Sequence, residues 1–215
     1  SSYSSFLYVY HAATSGVAEK MIEQKAFFNE ENKMRKLDGR FAELYFRPLR
    51  EYLSQEEAIR PWKTYYQYCS SEDSRPVIEM ILGMNAHINA DLTTTLRQEN
   101  YNQKEDYQKV NKILKAQIPR TISFLARKHD LAGLIGLADK KLAHREFQKL
   151  IVKWRENAWR NYTQNNDKSL EELQEELYNQ TEEVAEKIIE LEEQFNYLNL
   201  HTTIKKANNL EVKIK

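Results

Sequence analysis

The spacing of apolar residues is the feature that most limits what this chain can fold into. Along most of the chain they recur at intervals of three and four, which places them on one face of a helix. Only five glycines and four prolines interrupt the 215 residues. The pattern predicts an all-α fold, a compact bundle of about six helices with a buried central helix and a long C-terminal heptad helix.

Breaks in this pattern predict how the chain is divided. Residues 1–163 are expected to form a helical bundle domain, and residues 169–199 a C-terminal coiled-coil-like helix. The polar residues 164–168 lie between the two. Residues 200–215 are expected to form a tail or a short strand, because their apolar residues alternate only weakly.

Three local signals predict where helices start, bend and end. Ser169 and Glu172 have the spacing of a capping box, in which each side chain bonds the backbone N–H of the other residue. Pro48 and Pro119 predict kinks inside long helices, because proline removes one backbone hydrogen bond. His129-Asp130, followed by two glycines, predicts a turn.

The last long helix differs from the others, because its apolar stripe is narrow and follows a heptad. The residues at the repeating positions are Leu170, Leu173, Leu177, Thr181, Val184, Ile188, Leu191, Phe195 and Leu198. A stripe of this width suits a single partner helix or groove. Two partners are open: a second copy of the chain, which would make a homodimer through residues 169–199, or a groove on the body of the same chain.

The charge balance argues against one class of partner. The chain carries 32 lysines and arginines and 32 aspartates and glutamates, so its formal net charge is zero. This balance removes the electrostatic case for nucleic acid as the main partner. No apolar run is long enough to cross a bilayer, so no transmembrane segment is expected.

Cysteine content and the start of the chain bear on the compartment. Cys69 is the single cysteine, so neither an intramolecular disulfide nor a cysteine metal cluster can form. This fits a reducing compartment, and we expect a cytoplasmic location. The chain begins with Ser rather than Met, so an upstream segment, including a signal sequence, could have been removed.

One segment near the middle of the chain places polar side chains on an apolar background. His87 and Asp91 are four residues apart, as are Asn85 and Asn89, so each pair stacks on one side of the predicted helix. The apolar stripe between them consists of Val77, Ile81, Met84, Ile88 and Leu92. Gly83 lowers helix propensity here, which predicts the close approach of another helix or of a ligand.

The chemistry of this segment suggests a catalytic or metal-binding site. His87 and Asp91 can form an acid–base pair or ligate a divalent metal such as zinc, with His11 as a third ligand. Asn85 and Asn89 are candidate catalytic residues that orient a substrate. The same residues also suit a structural role, with His87 and Asp91 as a buried pair and the asparagines bonded to backbone groups near proline kinks.

Two further residues are candidates for positioning a ligand. Arg155, four residues before Trp159, could hold an anionic group or stack on the aromatic ring. Tyr45 begins a segment rich in tyrosine and tryptophan. The residues therefore suggest a hydrolase-like enzyme acting on a small molecule. The alternative is a non-catalytic binding or assembly protein that uses the heptad helix.

Several motifs together resemble one known family. They are Tyr10-x-x-x-Thr14, Leu37-Asp38-x-x-Phe41-x-x-x-Tyr45-Phe46, Trp62, the run from Leu82 to Leu92, Asp106-Tyr107-x-x-Val110-Asn111 and Arg155-x-x-Ala158-Trp159. Their order and spacing resemble the uncharacterised bacterial family called domain of unknown function 5995, over about residues 6–162. The resemblance implies a helical domain organised around the central run, and it implies no activity. It stops before the heptad helix, which is interpreted as an addition.

A second resemblance is confined to the central helix. The pattern Leu82-Gly83-x-x-x-His87-x-x-x-Asp91 is similar to a helix of the zinc-dependent phospholipase C and P1-type nuclease families. It implies a zinc-assisted hydrolysis of phosphoesters. The chain departs from that pattern after Asp91, where Leu-Thr-Thr-Thr stands in place of the Gln-Pro and further histidine of those enzymes.

Overall fold

A computed structural model of the chain describes residues 4–128, 137–193 and 200–214, and the regular structure in these ranges is helical throughout. The helices are α1 (Ser4–Glu23), α2 (Glu31–Leu53), α3 (Trp62–Cys69), α4 (Pro76–Met84), a π-helical segment π1 (Asn85–Asp91), α5 (Leu92–Gln98), α6 (Lys104–Lys128), α7 (Leu137–Gln164), α8 (Leu170–Glu193) and α9 (Leu200–Ala207). The all-α prediction is confirmed. The bundle is more divided than predicted, with nine α-helices in the described ranges.

The central helix is the continuous series α4, π1 and α5, and it is buried along nearly its whole length. It contacts α1, α2, α7 and α8, which surround it. The sequence predicted an α-helix here, whereas residues 85–91 form a π-helix. The N–H of Leu92, for example, donates to the carbonyl of His87, five residues earlier rather than four.

The heptad helix α8 packs into the body of its own chain. Five residues at its heptad positions are buried there, namely Leu173, Leu177, Thr181, Val184 and Ile188. The four apolar members belong to the same hydrophobic cluster as Phe6 of α1 and Trp154 of α7. Of the two partners considered, this stripe therefore occupies the groove on the body. The last heptad residues, Phe195 and Leu198, lie outside the described residues.

The start of α8 has the predicted capping box. The backbone N–H of Ser169 donates to Oε2 of Glu172 at 2.9 Å, and the N–H of Glu172 donates to Oγ of Ser169 at 3.1 Å. Pro48 and Pro119 lie inside α2 and α6, and both helices continue beyond them. The turn predicted at His129-Asp130 lies outside the described residues.

The C-terminal residues are more ordered than the sequence suggested. Residues 200–207 form α9 rather than a strand or tail, and no strand occurs in the described ranges. The segment after α9 crosses α7, where Nε1 of Trp154 donates to the carbonyl of Leu210 at 3.1 Å. Nδ2 of Asn161 donates to the carbonyl of Val212 at 3.3 Å. These backbone acceptors fix the segment to the bundle.

Two further expectations concern packing and membranes. The close approach predicted at Gly83 is confirmed, because the side chain of Phe6 on α1 lies directly against it.

None of the described helices combines the length and apolarity that crossing a bilayer requires.

Candidate functional site

A cavity of about 100 Å³ lies beside the central helix. It is larger than the share of about 30 Å³ that a water molecule takes in the liquid, so it has room for a small organic group. Side chains from α1, α2, π1, α6 and α7 line it, and most of them are apolar. Its polar or ionisable lining residues are Tyr10, Thr14, Asp38, His87, Tyr107 and Arg155.

His87 and Asp91 form a hydrogen-bonded pair at this cavity. Nδ1 of His87 lies 3.0 Å from Oδ2 of Asp91, and Nε1 of Trp62 donates to the same oxygen at 3.0 Å. The two residues are only 3% and 4% exposed. The ring of Phe41 stacks on the imidazole, with 3.6 Å between ring centroids and 9° between planes. Both partners of the pair are therefore held from several sides.

Nε2 of His87 has no hydrogen-bond partner within the described part of the chain, although it is buried. Since Nδ1 is occupied by Asp91, Nε2 is the ring atom left for any further interaction. Most buried polar atoms in proteins are paired, and an unpaired one costs free energy. One ring nitrogen of this histidine is therefore oriented by a carboxyl group, and the other has no partner among the described residues.

Burial controls the protonation of this pair. It lowers the pKa of His87 well below its ordinary value, and it raises the pKa of Asp91 well above its ordinary value. The N–H of Trp62 and the positive charge of Arg47 act in the opposite direction on the Asp91 pKa. Burial thus favours an uncharged pair in which Asp91 donates its proton to Nδ1 and the histidine carries its own proton on Nε2.

Asn85 and Asn89 point away from this cavity and towards α8. Nδ2 of Asn85 donates to the carbonyl of Thr181 at 2.8 Å, and Nδ2 of Asn89 donates to Oδ1 of Asn85 at 2.8 Å. Neither asparagine lines the cavity. The predicted four-residue site is therefore divided, because residues two apart on a helix lie on roughly opposite sides. We also expected backbone acceptors near Pro48 and Pro119. This expectation is wrong for Asn85, because its acceptor is a backbone carbonyl of α8.

Arg155 reaches the cavity from α7 and is only 6% exposed. Its Nε donates to Oδ1 of Asn111 at 2.7 Å, and Nη2 donates to the carbonyl of Tyr107 at 2.9 Å. The guanidinium carbon lies 4.3 Å from the centre of the Tyr107 ring. Within the described part of the chain, no carboxylate pairs with this guanidinium and Nη1 has no hydrogen-bond partner. The predicted ligand-positioning residue is thus a buried cation at the cavity wall.

Tyr45 lies behind the pair rather than in the cavity lining. It is buried, and its ring centre is 5.2 Å from that of Trp62 and 5.9 Å from that of His87. Its contacts fix the orientation of the tryptophan that donates to Asp91. The structure therefore places it one layer away from any ligand in this cavity.

Of the three predicted metal ligands, His87 and Asp91 are in contact, but His11 does not join them. His11 is exposed on α1 and does not line the cavity. Among the described residues, no group of three or more histidine, cysteine, aspartate or glutamate side chains could hold a metal ion. The donor set therefore does not fit the zinc that we considered, and no step of the chemistry below passes through a metal.

Several residues that shape the site were not assigned this role from the sequence. Trp62 donates to Asp91, while Tyr107 and Asn111 hold Arg155. Phe41 covers the imidazole. Each of these residues falls in one of the family motifs quoted above. The motifs therefore pointed to these site residues, whereas helical periodicity did not.

The comparisons with known proteins agree with these motifs. A family model described as "Family of unknown function (DUF5995)" matches residues 1–191. No curated protein and no solved structure matches the chain, so the similarity to phospholipase C and P1-type nucleases receives no support. The match extends through most of α8, so the expected end near residue 162 is wrong and the heptad helix is not an addition. The chain therefore belongs to the DUF5995 family, whose function is unknown.

Proposed function

We propose that this protein is a hydrolase-like enzyme that acts on a small molecule in the cavity, with His87 and Asp91 as its acid–base pair. The observation that carries the proposal is the buried, unpartnered Nε2 of His87 beside a cavity, with Nδ1 oriented by Asp91. A base oriented in this way is the usual arrangement for proton transfer to or from a bound molecule.

The unpaired Nε2 also has an energetic consequence. Leaving a buried polar atom without a partner costs about 1–3 kcal/mol. A pair that served only to fix helix packing would gain nothing from that cost, whereas a substrate or water molecule in the cavity would remove it. The apolar lining would also strengthen hydrogen bonds formed at Nε2, because the local dielectric constant is low.

The chemistry follows from the two protonation states of the pair. After the pair loses one proton, Asp91 is a carboxylate that accepts from Nδ1–H, and Nε2 has a free lone pair. Nε2 then takes a proton from water as the water oxygen adds to an acyl carbon. The same proton passes from Nε2 to the leaving oxygen as the carbon–oxygen bond breaks, which restores the enzyme.

Turnover of simple chromogenic esters tests this function. We expect p-nitrophenyl acetate or butyrate to be hydrolysed by the wild type, and His87→Gln to lower kcat/KM by roughly 10²–10⁴-fold. His11→Gln is the matched control, because it makes the same change at an exposed histidine outside the cavity. Circular dichroism and unfolding curves establish that the variants are folded.

Two results would contradict the proposal. One is an absence of turnover by the wild type on both esters and on bis(p-nitrophenyl) phosphate. The other is equal turnover by the wild type and a folded His87→Gln variant. Either result would leave His87 and Asp91 as a packing pair.

The alternative, a non-catalytic assembly protein that binds through its heptad helix, has less support. The stripe that would contact a second copy is the one that packs against α4 and π1 of the same chain. No other observation favours this function, so we do not propose it.

A further inference from the structure

Two groups of opposite charge, on Arg155 and Asp38, line the same cavity. The guanidinium of Arg155 has no carboxylate partner, and the carboxylate of Asp38 has no hydrogen bond or ion pair, within the described part of the chain. The two do not pair with each other. Asp38 is partly buried, and burial raises the pKa of its carboxyl.

Unpaired charges in a sheltered position are uncommon in folded proteins. A buried charge normally has a partner of opposite sign, because the loss of hydration must be compensated. For Arg155 the two nitrogens that do form hydrogen bonds use neutral acceptors, the side-chain amide of Asn111 and a backbone carbonyl. Its positive charge is therefore left for a molecule in the cavity.

The remaining walls limit the body of that molecule. The rest of the lining is dominated by aliphatic and aromatic side chains, including Leu37, Ile88 and Val110. The volume of about 100 Å³ has room for only a few carbon atoms besides the charged ends.

We propose that the ligand of this cavity is a short amino carboxylate, with its carboxylate bound to Nη1 of Arg155 and its ammonium group bound to Asp38. This inference rests on the proposed function, because it names the substrate or product class of the same site. A guanidinium is well suited to a carboxylate, and an ammonium group in turn neutralises the aspartate. His87 lines the same cavity as both charged residues.

Binding of matched probes tests the assignment without any turnover. We expect calorimetry on the full chain to show that 4-aminobutanoate binds more tightly than butanoate and than butylamine, since each of the latter leaves one protein charge unpaired. Amino carboxylates one carbon shorter and one carbon longer measure the preferred length. Asp38→Asn should weaken 4-aminobutanoate roughly ten- to hundredfold and leave butanoate unchanged.

Asp38 is the better residue for the decisive variant, because it is partly exposed and holds no other residue in place. Asp73→Asn is the matched control at an exposed aspartate outside the cavity. Arg155→Lys keeps the positive charge but loses the forked geometry, and it should weaken 4-aminobutanoate and butanoate alike.

The outcomes separate this inference from the proposed function. Failure of all probes to bind, equal binding of butanoate and 4-aminobutanoate, or unchanged binding in Asp38→Asn would each overturn the inference. Ester turnover that depends on His87 would still stand in those cases. Conversely, the expected binding pattern without ester turnover would keep the ligand class and remove the hydrolase proposal.

Discussion

The Cβ atom that Gly83 lacks would lie 2.4 Å from Cγ of Phe6. The missing side chain lets α1 approach the central helix closely and brings the Phe6 ring beside the pair. The centre of this ring is 5.6 Å from that of Trp62 and 5.8 Å from that of His87. Gly83 thus connects the packing of two helices to the position of the imidazole.

Gly83→Ala should destabilise the protein. The added methyl group overlaps the Phe6 ring, and such overpacking costs about 1–3 kcal/mol of the free energy of unfolding. Gly39→Ala is the matched control, because its Cβ would meet nothing within 4 Å on α2. There the higher helix propensity of alanine should stabilise by about 0.5–1 kcal/mol. Urea unfolding measures both, and similar values for the two variants would refute this account of Gly83.

The uncharged state of the pair can be observed directly. Because burial lowers the His87 pKa and raises the Asp91 pKa, we expect a neutral imidazole with its own proton on Nε2 near neutral pH. Nitrogen-15 NMR of histidine-labelled protein distinguishes this tautomer from an imidazolium ion. An imidazolium signal for His87 would show instead that the proton resides on histidine beside an Asp91 carboxylate.

Trp62→Phe should raise the pH at which the pair loses its proton. The Trp62 N–H stabilises the Asp91 carboxylate and lowers its pKa, which burial raises. Without this N–H, the Asp91 pKa should therefore rise further. Titration of the His87 nitrogen signals gives the apparent pKa of the pair. Trp159→Phe is the control, because Trp159 contacts Tyr107 rather than the pair. A downward shift, or the same shift in both variants, would contradict this role of Trp62.

Asp106→Asn should lower the free energy of unfolding at neutral pH. It should also make this free energy fall less steeply as the pH is lowered. Oδ1 and Oδ2 of Asp106 accept the backbone N–H groups of Asn29 and Glu30, each at 2.8 Å. Burial raises the Asp106 pKa, but these two hydrogen bonds and the positive charge of Lys109 outweigh it, so the Asp106 pKa is lower than its ordinary value.

The lowered pKa of Asp106 decides how stability changes with pH. A carboxyl whose folded-state pKa is lowered contributes stability above its ordinary pKa, and this stability is lost as pH falls through the folded-state pKa. The variant should therefore lose about 1–3 kcal/mol at pH 7. Chemical unfolding between about pH 7 and pH 2 measures this, with Asp73→Asn as the exposed control. A variant with wild-type acid sensitivity would show that Asp106 does not carry the effect.

Ending the chain at Gln164 should prevent folding. This truncation removes α8 and α9, whose residues Leu173, Leu177 and Ile204 are fully buried against the bundle. The loss would expose a large part of the main hydrophobic cluster, which a small domain cannot sustain. Circular dichroism and thermal unfolding measure the result. A cooperatively folded fragment of residues 1–164 would show that the bundle is independent of the heptad helix.

The sequence determined those features of this protein that depend on residues close together in the chain. The helices follow from the spacing of apolar residues, and the capping box of Ser169 and Glu172 forms within one helical turn. The close contact at Gly83 could also be predicted, because a glycine inside an apolar helix usually marks tight packing against a neighbouring segment. The spacing of His87 and Asp91 was likewise enough to predict that they meet.

Only the tertiary structure decided what lies opposite each of these groups. In the folded chain, Asn85 lies towards α8 and His87 towards the cavity, while His11 lies on the surface. The Arg155 guanidinium has no carboxylate partner in the described part of the chain. The tertiary structure also seated the heptad stripe in its own chain. The physical reason is that helical periodicity states which face of a helix is buried. The partner of that face depends on contacts between residues far apart in sequence, which no local pattern records.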